Sequence, residues 1–137
     1  DGKADISVFR PEMGIWYLLN SATGFTGVGF GISTDTIVPA DYDGDGKTDI
    51  AVYRGGTWFL LRSTEGFAEI EFGLPTDIPH PADLDGDGRA ELVYFRPSNG
   101  VWYIRSLTTD EETTFAFGQA GDVPVPADYD GDGIADI

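Results

Sequence analysis

Asp41-Tyr42-Asp43-Gly44-Asp45-Gly46-Lys47-Thr48-Asp49 is the stretch on which the reading of this chain turns. Acids stand at its first, third, fifth and ninth positions, with glycines at the fourth and sixth. The pattern returns as Asp83-Leu84-Asp85-Gly86-Asp87-Gly88-Arg89-Ala90-Glu91, and again as Asp128-Tyr129-Asp130-Gly131-Asp132-Gly133-Ile134-Ala135-Asp136. A fourth, partial copy opens the chain, where Asp1-Gly2-Lys3-Ala4-Asp5 matches Asp45 to Asp49.

Four carboxylates within nine residues repel one another unless a cation sits among them. A hard divalent ion with oxygen ligands suits this set, and calcium tolerates the flexible geometry of a glycine-bent loop better than magnesium does. A softer transition metal would call for His or Cys. The three complete copies therefore read as calcium loops and the N-terminal copy as a partial one. Residues one, three and five point inward, the carbonyl of residue seven adds a ligand, and residue nine closes the site. An acidic, solvated turn is the plain alternative, because Asp-Gly pairs favour turns anyway, but the threefold return of one spacing argues against it. An EF-hand requires Glu at position twelve and flanking helices. Those positions hold Val52 and Tyr94, and both flanks look like strands.

Composition fits this reading. The net charge is -16, yet fourteen of the 24 acids lie in the four copies, and the remaining ten acids against the chain's eight basic residues give only -2. Three calcium ions would bring the total to -10. Nucleic acid is excluded as a partner, since phosphate binding needs clustered Lys and Arg. Cysteine is absent, which removes disulfides and zinc-thiolate sites. No segment approaches eighteen apolar residues, so no membrane span is expected. Calcium is scarce in the cytosol, and that favours an extracellular, secreted or cell-surface location.

Equivalent aspartates at 1, 45, 87 and 132 define repeats of 42 to 45 residues. After each loop comes a short β-rich run, Asp5–Arg10, Asp49–Arg54 or Glu91–Arg96, ended by turn signals. A second run holds Trp16, Trp58 or Trp102, and a third ends in Phe30-Gly31, Phe72-Gly73 or Phe117-Gly118. A Pro-containing segment (Ile37–Ala40, Ile78–Ala82, Val123–Ala127) then feeds the next loop as a short strand. Four short strands per unit with no helical pattern predict an all-β chain of antiparallel β-propeller blades. The units run approximately 1–36, 37–78, 79–122 and a partial 123–137. The tryptophans are expected to pack between blades. Arg10, Arg54 and Arg96 recur in phase and are expected to pair with Asp35, Asp77 and Asp122.

The Phe-Gly pair, the Pro-Ala pair and the DxDGDGxxD loop together resemble FG-GAP/VCBS-type repeats, the calcium-binding propeller repeats of integrin α-subunits and of bacterial secreted or surface proteins. The resemblance implies calcium ligands at Asp41, Asp43, Asp45, the Lys47 carbonyl and Asp49. It implies a second set at Asp83, Asp85, Asp87, the Arg89 carbonyl and Glu91, where Glu replaces Asp. A third set is Asp128, Asp130, Asp132, the Ile134 carbonyl and Asp136. The partial copy offers Asp1, Lys3 and Asp5, enough for weak binding only. About three full calcium sites and one partial site are expected, in a chain that forms part of a larger propeller or repeat assembly. Its partners would be other blades of a longer chain or other copies of itself, with Val123–Gly131 pairing beside Ile6–Phe9, and a glycan or protein ligand in addition.

No catalytic constellation appears. His80 lies between Pro79 and Pro81 without a triad partner, and every clustered carboxylate pair already belongs to a metal loop. The expected function is a non-enzymatic, calcium-stabilised scaffold for adhesion, matrix or surface assembly. The alternative is the propeller domain of a secreted carbohydrate-binding or carbohydrate-active protein. Partner recognition is expected in the variable turns Ser21–Gly24, Ser63–Gly66 and Thr108–Glu112.

Overall fold

A computed structural model describes residues 4–137, so Asp1 and Lys3 of the partial copy lie outside the described residues. The chain falls into two compact units, Asp1–Thr36 and Ile37–Ile137. Among the described residues all regular structure is β, as the alternating runs predict, and the strand pairs are antiparallel.

The first unit holds a three-stranded sheet of β1 (Ile6–Arg10), β2 (Ile15–Asn20) and β3 (Gly24–Gly29), in chain order. Trp16 stands opposite Phe9 and tilts against it with ring centroids 5.1 Å apart.

Two four-stranded sheets follow. One orders β4 (Thr36–Ile37), β5 (Ile50–Arg54), β6 (Thr57–Arg62) and β7 (Gly66–Glu71). The other orders β8 (Ile78–Pro79), β9 (Leu92–Arg96), β10 (Val101–Arg105) and β11 (Glu112–Ala116) in the same sense. The proline-containing segments form less strand than the sequence suggests. β4 and β8 are two residues long, followed by single bridges at Ala40–Asp49 and Ala82–Glu91, and Val123–Ala127 keeps only the Ala127–Asp136 bridge. Proline has no N–H to extend a ladder.

The core of the second unit lies between its two sheets. Val38, Tyr42, Ala51, Tyr53, Trp58, Leu60 and Phe72 of one sheet pack with Ala90, Leu92 and Tyr94 of the next. Trp58 is fully buried, and its indole N–H donates to the Phe72 carbonyl at 2.8 Å. Trp16 and Trp102 make the same bond to Phe30 and Phe117. The tryptophan therefore ties the second strand to the Phe-Gly corner in every repeat, and in the second unit Trp58 also fills the seam between sheets.

Successive loops are joined through the backbone as well. The Ala90 N–H donates to the Asp41 carbonyl at 2.7 Å, and the Ala135 N–H to the Asp83 carbonyl at 2.9 Å. One of the recurring arginines bridges two repeats. Arg96 holds Asp77 with two hydrogen bonds of 2.9 and 2.7 Å, so its partner is the aspartate of the preceding repeat. The guanidinium is layered over the Tyr94 and Tyr103 rings.

The Phe-Gly corner packs onto the preceding hairpin so closely that the hairpin turn needs glycine. A Cβ on Gly56 would stand 2.6 Å from the Gly73 carbonyl oxygen, and Gly56 has φ of 101°. Gly56→Ala should therefore cost about 2–4 kcal/mol, from positive-φ strain plus the clash. Urea unfolding would measure this, and a loss under half a kcal/mol would show that the corner gives way.

Candidate metal centre

The first two acidic loops each join the first strand of a four-stranded sheet to the second, and local chemistry curls all three. In loop one, Asp41 receives the N–H groups of Gly44 (2.7 Å), Asp45 (3.3 Å) and Gly46 (2.7 Å) on its carboxylate. Gly44 and Gly46 take φ of 72° and 80°, a conformation in which a side chain is strained. Asp83 and Asp128 organise their loops through the same bonds, to Gly86 and Gly88 and to Gly131 and Gly133. The ninth residue closes the turn: Asp49, Glu91 and Asp136 accept the backbone N–H of Tyr42, Leu84 and Tyr129.

This curling gathers three carboxylate triads: Asp41, Asp43 and Asp45; Asp83, Asp85 and Glu91; and Asp128, Asp130 and Asp136. Within each triad one oxygen per residue lies within 4.8 Å of the others. Asp49, Asp87 and Asp132 fall outside the triads. Both Asp49 oxygens are taken by backbone N–H groups, from Tyr42 and from Ser63 at 2.7 Å. Asp87 is bound to the Arg89 N–H and the Thr108 hydroxyl, and Asp132 to the Ile134 N–H. Lys47 also reaches the first loop with its side chain, whose ammonium lies 2.8 Å from Asp45. In the partial copy, Asp5 accepts the Ser21 N–H at 2.7 Å, the counterpart of Ser63 on Asp49.

The residues present fit a divalent cation. Among the described residues, the buried side-chain oxygens with no hydrogen-bond partner are Asp43 Oδ1 and Glu91 Oε1, one in each of the first two triads. Burying a carboxylate oxygen unpaired costs kilocalories unless a cation meets it. With calcium bound, the triads would hold it and the remaining loop carbonyls would be available to complete the shell. The ion would supply the charge neutralisation that the loop itself lacks.

The electrostatics agree. Burial raises Asp49 and pushes Glu91 up to about 7, with Asp83, Asp85 and Asp87 adding repulsion to Glu91. Burial also acts to raise Asp43, but hydrogen bonds from Thr64 and Glu65 outweigh it and lower the carboxyl overall. In chelated protein the sign for Glu91 follows from its raised folded value. Below its ordinary pKa the group is neutral in both states and has no effect. As pH rises toward 7 the unfolded chain ionises first, so stability falls, by at most about 3 kcal/mol. Glu91→Gln should flatten that decline in a melting series at pH 4 to 8 in chelator, and should forfeit stabilisation by calcium. An unchanged decline in the variant would assign it to other carboxylates.

The sequence did not reveal what holds loop one from outside. The β6–β7 turn, Ser63 to Glu65, caps it with five bonds. The Ser63 N–H reaches Asp49, and the Ser63 hydroxyl reaches Asp45 at 2.6 Å. Asp43 receives the Thr64 N–H, the Thr64 hydroxyl and the Glu65 N–H. Serine at 21 and 63, in phase, was the available signal. A turn that sequence variability marks for partner recognition is here a support for the carboxylates.

Residues 83–137 match the family described as FG-GAP-like repeat. No curated protein and no solved structure matches the chain. FG-GAP repeats are β-propeller blades, and the antiparallel sheets of three and four strands have that construction.

Proposed function

We propose that this chain is a non-enzymatic, calcium-stabilised β-propeller segment that works outside the cell as a scaffold for adhesion, matrix or surface assembly. The observation that carries the reading is the pair of buried, unpartnered oxygens, Asp43 Oδ1 and Glu91 Oε1, in two loops of one design. Calcium at extracellular concentrations fills such modules even when binding is weak. Among the described residues no helix is long and apolar enough to cross a membrane. Further blades, from the same polypeptide or from other copies, are the partners on this reading. They would cover Val125 and Tyr129, which stand exposed where the equivalent Val38 and Tyr42 are buried.

Calorimetric titration of chelated protein tests the proposal. At least two calcium sites are expected, with magnesium much weaker, because its strict octahedral shell suits a flexible carboxylate loop poorly. Asp45→Ala should remove most of the calcium response of its own loop and leave that of loop two. A flat titration on folded protein would end the calcium reading.

A further inference from the structure

Loops one and two differ in one respect that bears on what their ions can do. Resting on the calcium reading above, we propose that the ion held by Asp83, Asp85 and Glu91 keeps one side open. There it takes oxygen ligands from a neutral, hydroxyl-rich molecule, a saccharide, seated between loop two and the turn after β10.

In loop one that side is closed by the Ser63–Glu65 turn, whose N–H and hydroxyl groups occupy Asp43 and Asp49. In the next repeat the turn is one residue longer: fourteen positions separate Trp58 from Phe72, but fifteen separate Trp102 from Phe117. The longer turn folds on itself. Ser106 accepts the N–H groups of Thr108 and Thr109 on its hydroxyl and that of Asp110 on its carbonyl. Asp110 takes φ of 61°, the conformation that Gly66 supplies in the shorter turn. Of the capping bonds, the one from the Thr108 hydroxyl to Asp87 keeps its counterpart in loop one, Ser63 to Asp45. Asp85 accepts the Asp87 N–H of its own loop, and Glu91 Oε1 is buried without a partner.

A cavity of about 290 Å³ lies beside loop two, with Asp85 and Glu91 on one side. Its remaining wall combines Leu84 and Ile104 with Ser106, Thr109, Glu111 and Thr113. Hydroxyls and carboxylates there offer hydrogen bonds to a sugar, and the two apolar side chains suit a sugar ring face. Glu111 and the loop acids repel an anionic ligand. Calcium accepts six to eight oxygens in flexible geometry, so hydroxyls beside the triad can join its shell.

Europium luminescence decay of the full chain in H2O and D2O counts inner-sphere waters at each ion. The ion at loop two should hold at least one more water than the ion at loop one. Methyl mannoside or methyl galactoside should displace water there, and glucuronate should not. The sugar response should survive Asp43→Asn and Asp130→Asn, fall at least tenfold in Asp85→Asn, and vanish when Leu107→Ser is combined with deletion of Asp110 to rebuild the shorter turn. Equal water counts at the two loops would overturn the inference. So would silence toward both sugars at about 0.1 M, where a ligand of millimolar Kd is nearly saturating. A flat calcium titration would remove the metal reading itself, whereas normal calcium binding without a sugar response would remove this inference alone.

Discussion

Chelation of the full chain should lower its melting temperature by on the order of 15 °C. An ion that binds only the folded state stabilises it by about 2.7 kcal/mol at a hundredfold excess over Kd. Two loops carry a buried oxygen with no protein partner, Asp43 Oδ1 and Glu91 Oε1. The pair of ions would therefore contribute about 5 kcal/mol, and a domain of this length shifts by roughly 3 °C for each kcal/mol. The loops also connect the sheets, because the Ala90 N–H of loop two is bonded to the Asp41 carbonyl of loop one. Repulsion within either loop thus reaches the seam containing Tyr42, Leu92 and Tyr94. Scanning calorimetry with and without chelator measures the effect. A melting curve that does not move would show that the loops are held by their hydrogen bonds alone.

Asp77→Ala should be the most damaging surface-to-seam substitution, at about 3–5 kcal/mol, because it strands a charge. The Asp77 side chain has no exposure, and that of Arg96 has 18%. Asp77 also accepts the Leu74 N–H at 2.8 Å, which fixes the corner after β7. Removing the carboxylate leaves Arg96 among Tyr94 and Tyr103 with no counter-ion, and removes that corner bond as well. Combining it with Arg96→Met should recover part of the loss, since the longer-lived penalty is the unpaired cation rather than the missing pair. Urea unfolding of the two variants would decide. If the double variant is no better than Asp77→Ala, the corner bond and not the ion pair is what Asp77 contributes.

The sequence by itself determined the repeating part of this protein. Alternating acids and glycines from Asp41 to Asp49 dictate a curled loop, because their bonds are local: Asp41 to Gly44 and Gly46, Asp49 to Tyr42. Period-two runs between turn residues dictate antiparallel strands for the same reason, and the in-phase tryptophans mark where a hairpin meets its Phe-Gly corner. What only the tertiary structure decided involves partners far apart in the chain. Arg96 reaches back nineteen residues to Asp77 rather than pairing within its own repeat, since adjoining sheets bring the end of β9 against the preceding corner. Ser63 and Thr64 close loop one from across a hairpin, while one extra residue between Trp102 and Phe117 makes the corresponding turn fold on itself and leaves Glu91 uncapped. Spacing in the chain specifies bonds made within a few residues; a change of one residue in a distant turn alters which side of a carboxylate is covered, and that difference exists only once the sheets are packed.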